Sequence, residues 1–119
     1  MLAGNFYTVT AQTQEPGQIT ATIELNASHP IFQGHFPEQP VVPGVCMMQT
    51  ITEVLADAVQ RKVAMKKASQ MKFLNMIDPG KQPLVDVIVN YKQEEAGWKV
   101  NATLKRDDKT FMKFQGIFI

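Results

Sequence analysis

Apolar and polar residues alternate with a period of two along several short stretches of the chain, as they do in a β-strand with one buried face. The clearest stretch is 19–25, whose apolar positions are Ile19, Ala21, Ile23 and Leu25. Further strand-like stretches are 6–10, 69–76, 84–91, 98–105 and 110–119. Because turn-forming residues separate these stretches, the pattern predicts about five or six antiparallel strands.

A helical period replaces this alternation between residues 45 and 59, which include neither proline nor glycine. Apolar residues occupy most of the circumference of this segment, a pattern typical of a helix that is buried on several sides. A narrow polar stripe remains, with spacings of three and four residues, at Gln49, Glu53, Asp57 and Gln60. One buried helix and an antiparallel sheet together indicate the α+β class.

Length and composition limit the class of protein. A chain of 119 residues is sufficient for one domain, which we expect to span residues 1–119. Its formal net charge of +1 gives no general attraction for nucleic acid. The sequence has no apolar run near the roughly 18 residues that span a bilayer, and no signal-peptide pattern at its start. Together with a single cysteine, Cys46, these features favour a soluble cytoplasmic protein without membrane insertion.

The most unusual stretch is 34–45, which contains His35 and three prolines, Pro37, Pro40 and Pro43. Each proline fixes φ near about −65° and removes a backbone donor, so this stretch is a stiff loop and neither a helix nor a central strand. The loop leads directly into the predicted helix, whose first N–H groups favour negative charge. Because an imidazole titrates near neutral pH, His35 beside such a helix end forms a plausible reaction site.

The stretch 34–45 also resembles a known signature. The residues His35-Phe36-Pro37-x-x-Pro40-Val41-x-Pro43-Gly44-Val45 are similar to the motif of the β-hydroxyacyl-acyl carrier protein dehydratases of the FabZ/FabA type, and residues 71–80 show a weaker likeness. The resemblance implies a hot-dog fold, in which an antiparallel sheet wraps around one long central helix. It also implies dehydration of 3-hydroxyacyl-acyl carrier protein thioesters to trans-2-enoyl thioesters, in fatty acid or related lipid synthesis. Neither a metal nor an organic cofactor is implied.

The resemblance assigns roles to individual residues. His35 takes the position of the base, and its second ring nitrogen is expected to bond the backbone carbonyl of Val41. The Gly44 N–H takes the position of the donor to the thioester oxygen. The residues expected to contact the substrate are Phe36, Val41, Gly44, Val45, Phe73 and Leu74.

One position departs from the family pattern. Where the family carries a carboxylate, 14 residues after the histidine, this chain has Gln49, and one helical turn later it has Glu53. The Gln49 amide has no acidic proton near neutral pH, so it can orient a hydroxyl but cannot protonate it. Three explanations stay open: Glu53 is the acid, with a pKa raised by burial; His35 performs both proton transfers; or a related partner chain supplies the acid.

A basic cluster follows the predicted helix and consists of Arg61, Lys62, Lys66, Lys67 and Lys72. Because an acyl carrier protein is acidic, such a cluster near the mouth of an acyl site would attract it. A solvated connection between helix and strand explains the same residues equally well. The resemblance further implies a homodimer or a trimer of dimers, with the site built between subunits.

Two other functions remain alternatives. In a hot-dog acyl thioesterase, Glu53 would activate a water molecule and the product would be a free acid. In a heteromeric dehydratase, this chain would be a non-catalytic, acyl-binding subunit whose catalytic partner is encoded elsewhere. The intact histidine signature favours the dehydratase, whereas Gln49 favours the subunit.

Overall fold

The computed structural model describes residues 1–36 and 38–119. The strands are β1 (Tyr7–Glu15), β2 (Gln18–Leu25), β3 (Met65–Phe73), β4 (Leu84–Glu94), β5 (Gly97–Arg106) and β6 (Lys109–Phe118). The helix α1 spans Gly44–Val59, and a short 3-10 turn, Pro30–Gln33, precedes the loop that leads into it. Neighbouring strands are antiparallel, in the order β1-β2-β4-β5-β6-β3, which confirms the α+β class. In this described part of the chain, no helix is long and apolar enough to cross a membrane.

The core lies between α1 and one face of the sheet. Strand pairing places a row of buried side chains across four neighbouring strands, formed by Ile19, Val89, Ala102 and Phe114. On the helix, Ile51 and Leu55 are fully buried and lie one turn apart. The period-two burial of the strands and the one-turn period of α1 therefore have the same origin, which is the packing of the helix on this face.

Most elements lie close to their predicted positions. The helix begins at Gly44, one residue before the predicted start at residue 45, and ends as predicted at Val59. The strands β2, β4, β5 and β6 lie within a few residues of the predicted stretches. Each of these strands pairs with a neighbour on both sides and carries the buried face that produces the alternation.

Of the two edge strands, β1 is longer than predicted and β3 begins earlier than predicted. The strand β1 continues to Glu15, and β3 spans Met65–Phe73 instead of residues 69–76. Almost all side chains of both strands are exposed, so apolar and polar residues have no reason to alternate there. Lys66 and Lys67, which the sequence assigned to a basic connection, consequently lie within β3.

One side of α1 is uncovered, together with the neighbouring edge strand β3. Val45, in the first turn of α1, is 77% exposed, and Phe73, at the end of β3, is 51% exposed. Met65 and Met71 of β3 are exposed as well. Within Gly44–Val59 only Val45, Gln49 and Asp57 are exposed, so the prediction that α1 is buried on several sides is confirmed. A contiguous apolar surface of this kind typically marks a binding site.

Gly116 of β6 permits close pairing with β3. A Cβ atom at this position would overlap the backbone oxygen of Lys67 and the ring of Phe114. We therefore expect Gly116→Ala to lower the free energy of unfolding by about 1–3 kcal/mol, the usual cost of overpacking. Urea denaturation followed by tryptophan fluorescence measures this. Gly34→Ala is the matched control, because a Cβ atom there makes an ordinary contact at 3.8 Å. Equal stability of the two variants would contradict the pairing of β3 with β6.

Candidate active site

Backbone hydrogen bonds close the loop that carries His35. The Val41 N–H donates to the His35 carbonyl at 2.7 Å, and the Val42 N–H donates to the Ile77 carbonyl at 2.9 Å. The first bond folds the loop onto itself, and the second fastens it to the segment that follows β3. Pro37, the first proline of the signature, lies outside the described residues.

The His35 side chain is exposed on the single chain. Its ring centroid lies 5.5 Å from that of Phe36. Among the hydrogen bonds of residues 1–36 and 38–119, none joins a ring nitrogen of His35 to the Val41 carbonyl, contrary to the expectation. Instead, the Val41 N–H bonds the carbonyl of His35. The backbone bond of the loop therefore fixes the position of His35, and the imidazole ring is accessible to a ligand or to a second chain.

The start of α1 presents backbone donors without a cap. Pro43 occupies the N-cap position and provides no side-chain hydrogen bond, while its carbonyl accepts from Cys46 and Met47. In the part of the chain that the structure describes, the N–H groups of Gly44 and Val45 have no hydrogen-bond partner. Free donors at a helix start favour a negatively charged oxygen. This end of α1 can therefore stabilise an oxyanion.

An apolar groove of about 870 Å³ opens beside these free donors. Its walls are the exposed side of α1 and the strand β3, and its lining residues include Gly44, Val45, Met48, Met71 and Phe73. A second cavity, of about 350 Å³, lies on the other side of the Phe73 ring. The groove has the size and the mostly apolar walls that are typical of a small-molecule site.

Gly44 leaves room for Phe73 between the two cavities. A Cβ atom at position 44 would lie 2.9 Å from the tip of the Phe73 ring. Val41 and Leu74 line the smaller cavity, and Val45 lines the larger one. The structure thus brings five of the six expected substrate contacts together around one aromatic ring. Phe36 is the exception, because it lines a separate cavity of about 310 Å³ beside His29.

Glu53 lies beneath the N-terminal segment and not in the groove. Its carboxylate accepts hydrogen bonds from the N–H groups of Leu2, at 2.8 Å, and Ala3, at 2.9 Å. The Tyr7 hydroxyl and the Gln49 amide donate to it as well, each at 2.9 Å. Only 9% of the Glu53 surface is exposed. This carboxylate joins the N-terminus, β1 and α1 at one point.

The expectation that burial keeps Glu53 protonated is wrong. Burial by itself raises the pKa of this carboxyl, but the hydrogen bonds from Leu2, Gln49, Ala3 and Tyr7 outweigh it and lower the pKa. The same contact acts in the other direction on the phenol, since burial and the neighbouring carboxylate raise the pKa of Tyr7. Glu53 is therefore ionised near neutral pH, and it has no proton to give to a leaving group.

The three expected catalytic residues form a pair and a separate histidine. Gln49 and Glu53 are in contact, but His35 makes no hydrogen bond to either of them within residues 1–36 and 38–119. Gln49 is exposed and lines the groove. His35 is not among the residues that line this groove, so on the single chain the two side chains do not border the same space.

The basic cluster is spread over two elements. Lys62 lines the groove, and together with Arg61 it also lines a cavity of about 590 Å³ next to Glu53. Lys66, Lys67 and Lys72 are exposed positions of β3. Lys62 is thus the member of the cluster that borders the groove, and all five side chains reach solvent.

The sequence analysis missed the partners of Glu53. Tyr7 is almost fully buried, although the sequence shows only a β-prone stretch there. The donors from Leu2 and Ala3 are backbone groups, which leave no trace in residue type. A buried carboxylate in an otherwise apolar helix was the one available signal, because such a group needs donors from elsewhere in the fold.

A six-stranded antiparallel sheet on one central helix, with a histidine loop at the helix start, defines a hot-dog protein of the dehydratase type. The chain belongs to the ApeI-like dehydratase family, because the model of that family, described as ApeI dehydratase, matches residues 11–115. This confirms the resemblance to the FabZ/FabA type that the loop signature indicated.

Curated relatives include 3-hydroxyacyl-[acyl-carrier-protein] dehydratases named FabZ. The protein from Sulfurovum sp. is 34% identical over 98 residues, which are 71% of this chain and 65% of the relative. The protein from Rickettsia bellii is 28% identical over 97 residues, which are 75% of this chain and 66% of the relative. The chain thus spans slightly less than two thirds of the length of these relatives.

Solved structures agree on the fold. A chain of the dehydratase heterocomplex ApeI:P from Xenorhabdus doucetiae has a TM-score of 0.77 and 17% sequence identity, and the match covers 94% of this chain and 96% of that one. An uncharacterized protein from Erwinia carotovora subsp. atroseptica has a TM-score of 0.71 and 14% identity, with coverage of 95% and 94%. These likenesses confirm the hot-dog fold.

The ionised state of Glu53 is testable by the pH dependence of stability. A carboxyl whose pKa is lower in the folded state stabilises the protein above the unfolded pKa, about 4.3, and this stabilisation is lost as the pH falls through the folded pKa. Since glutamine does not titrate, we expect the free energy of unfolding to fall more steeply below about pH 4.3 in the wild type than in Glu53→Gln.

At pH 7 the Glu53→Gln variant should be less stable by about 1–3 kcal/mol, because buried donors lose an acceptor. Urea denaturation at a series of pH values measures both effects. Glu24→Gln is the control, since it removes an exposed carboxyl of β2 that has no contact with this network. Parallel pH curves for the wild type and Glu53→Gln would contradict the prediction.

Proposed function

We propose that the chain dehydrates 3-hydroxyacyl thioesters, carried by acyl carrier protein, to trans-2-enoyl thioesters. The observation that carries this proposal is the apolar groove that opens at the free N–H groups of Gly44 and Val45. The groove suits an acyl chain, and the two donors suit the thioester oxygen on which charge develops. Family membership and the names of the FabZ relatives support the same reaction.

In the proposed reaction, His35 acts as the only proton carrier. Neutral imidazole takes the proton from Cα of the substrate, and the electron pair forms the Cα–Cβ double bond as the Cβ–O bond breaks. The imidazolium then gives its proton to the departing hydroxyl, which leaves as water. The Gly44 N–H donates to the thioester oxygen during the first step. Glu53 takes no part as an acid because it is ionised.

We further propose that the working unit contains two copies of this chain. The strand β3 is a nine-residue sheet edge, and its exposed apolar side chains continue onto α1 at Val45. Exposed edges of this kind aggregate unless another strand or element covers them. A second copy placed on β3 would cover the groove and bring His35 of one chain near Gln49 of the other. A higher assembly, such as a trimer of dimers, stays an expectation from the family.

The acyl carrier protein is proposed to approach at the end of the groove near Lys62. Arg61 and Lys62 line adjoining cavities there, and Lys66 and Lys67 lie at the same end of β3, whereas Lys72 lies near its other end. Their positive charge complements an acidic carrier and would increase its rate of association. The carrier holds its substrate on a flexible arm, so the protein contact and the groove are separate parts of one binding event.

A heteromeric dehydratase is the second candidate. Two observations favour it: Gln49 cannot donate a proton, and the neighbouring carboxylate of Glu53 is occupied by donors. A related chain with a carboxylate in place of Gln49 would supply the acid across the interface. The structural neighbour ApeI:P is itself a dehydratase heterocomplex. The thioesterase alternative finds no such support, because Glu53 does not line the groove and its oxygens already accept four hydrogen bonds.

The reaction is tested with a 3-hydroxyacyl thioester on acyl carrier protein. Purified protein should interconvert this compound and the trans-2-enoyl thioester, as measured by the absorbance of the conjugated enoyl group. We expect His35→Ala to reduce the rate by about 10²–10⁴-fold, the usual contribution of a general base. Gln33→Ala, an exposed change two residues upstream, should keep a rate close to that of the wild type.

Other outcomes of this assay separate the candidates. Turnover that requires the addition of a related dehydratase chain would establish the heteromeric reading, and release of free acid would establish a thioesterase. If neither the chain alone nor the mixture converts the substrate, the proposed reaction is wrong.

The two-copy unit is tested with a pair of matched variants. Met71 on β3 and Val9 on β1 are exposed apolar residues at opposite edges of the sheet, 38% and 42% exposed respectively. We expect Met71→Asp to produce monomers in sedimentation velocity, because it places a charge in the covered edge. Val9→Asp should leave the dimer intact. Dissociation by Val9→Asp alone would place the interface on β1 instead.

A further inference from the structure

Gln49 stands where the dehydratase pattern has a carboxylate, and the carboxylate of Glu53 follows one helical turn later. Gln49 Nε2 donates to Glu53 Oε2 at 2.9 Å, which joins two adjacent turns of α1. In residues 1–36 and 38–119, no donor bonds Gln49 Oε1. Gln49 is exposed and lines the groove, so its amide borders the space in which we place the substrate.

The carboxylate of Glu53 is held in a fixed position by groups outside α1. Its Oε2 accepts from Leu2 N–H and Gln49 Nε2, and its Oε1 accepts from Ala3 N–H and the Tyr7 hydroxyl. An ionised carboxylate has only acceptor sites, about four in number. With all of them used, Glu53 is neither able to rotate without loss of bonds nor able to donate.

This acceptor-only partner determines which way the Gln49 amide faces. The oxygen and nitrogen of a glutamine amide are similar in size, so sterics alone would allow either orientation. In the reversed orientation, Gln49 Oε1 would lie against Glu53 Oε2, and two acceptors without a proton between them repel. The carboxylate therefore keeps Nε2 on its own side and leaves Oε1 for another donor.

We propose that Glu53 is a positioning residue, which turns Gln49 Oε1 into the hydrogen-bond acceptor for the β-hydroxyl of the substrate. The proposal rests on the proposed function, because it assigns a substrate group to this oxygen. When the β-hydroxyl donates its hydrogen bond to Gln49 Oε1, the lone pairs of the hydroxyl oxygen point away from Gln49. The imidazolium can then protonate this oxygen. Gln49 thus orients the leaving group and transfers no proton.

A consequence for substrate choice follows. A 3-hydroxyacyl thioester carries a donor at C3, whereas a 3-oxoacyl thioester of the same length carries only an acceptor there. A site whose polar group is an acceptor rejects the ligand that lacks the matching donor. The Gln49–Glu53 pair therefore selects 3-hydroxyacyl over 3-oxoacyl chains. If Glu53 merely anchored the N-terminal segment, its loss would weaken both ligands alike.

The selection is measured by equilibrium binding in a His35→Ala background, where the substrate is not consumed. The probes are 3-hydroxyacyl and 3-oxoacyl pantetheine thioesters of equal length, and the quantity is the ratio of their dissociation constants. We expect a preference for the hydroxyl of about tenfold or more. Glu53→Gln should bring the ratio close to one, because the Gln49 amide is then able to reverse, and Glu53→Asp should restore part of it.

Leu55→Ala is the control for loss of stability, since Leu55 is fully buried on the same helix and, two residues after Glu53, faces another side of it. It should change the ratio little. If Glu53→Gln weakens both ligands equally and leaves the ratio unchanged, Glu53 has no positioning role. This outcome is distinct from failure of the proposed function, in which the wild type shows no turnover of the 3-hydroxyacyl thioester.

A second measurement does not depend on removal of Glu53 alone. Gln49→Glu places a carboxyl against the ionised Glu53, and the like charge raises the pKa of one of two carboxyls in contact. The pH–rate profile of this variant should gain a step that the wild type lacks. In Gln49→Glu/Glu53→Gln the like charge is gone, so this step should move to lower pH.

The other titratable groups near the pair are the Met1 amino group, the Tyr7 hydroxyl, Asp57, Arg61 and Lys62. They are identical in the single and the double variant, so a difference between the two profiles reports the contact between positions 49 and 53. Identical profiles would overturn the proposal, because the two side chains would then not interact in the working enzyme.

Discussion

The carboxylate of Glu53 joins the first residues of the chain and the start of β1 to the middle of α1, across separations of 46 to 51 residues. Its four donors come from the N-terminal segment, from Tyr7 of β1 and from Gln49 of the same helix. A buried charge of this kind is tolerable only when its lone pairs are used, since an unpaired one costs several kcal/mol. The same bonds that make Glu53 tolerable in the core also remove it from acid catalysis and fix the amide beside it.

The groove, in contrast, depends on apolar side chains that stay exposed on the single chain. Val45 and Phe73 are exposed although both are large and apolar, and the strand beside them has a free edge. The buried core forms without these two side chains, so they are available for binding. In the proposed assembly, a second chain would cover the exposed edge and an acyl chain would occupy the groove beside it. Assembly and substrate binding would then use one surface.

Sequence patterns predicted the elements that have one buried face. The helix Gly44–Val59 and the central strands were visible because their burial is periodic. The edge strand β3 was misplaced by several residues, because neither of its faces is buried in the single chain. At the site, the histidine signature predicted the loop and the helix start, but nothing in residue type could show that Leu2 and Ala3 bond Glu53 through their backbone. The interpretation of Glu53 as a protonated acid was wrong for that reason.

The amide of Gln49 and the carboxylate of Glu53 have a chemical meaning beyond the single bond between them. With glutamine at position 49, the side chain that borders the groove has no titrating group, and the one carboxylate of the pair is enclosed. In the proposed reaction, all proton movement in the groove then falls to His35 or to a partner. One imidazole that performs both transfers requires the leaving oxygen to be held close to it. An oriented acceptor at position 49 meets this requirement, so the loss of the acid and the presence of Glu53 form one consistent arrangement.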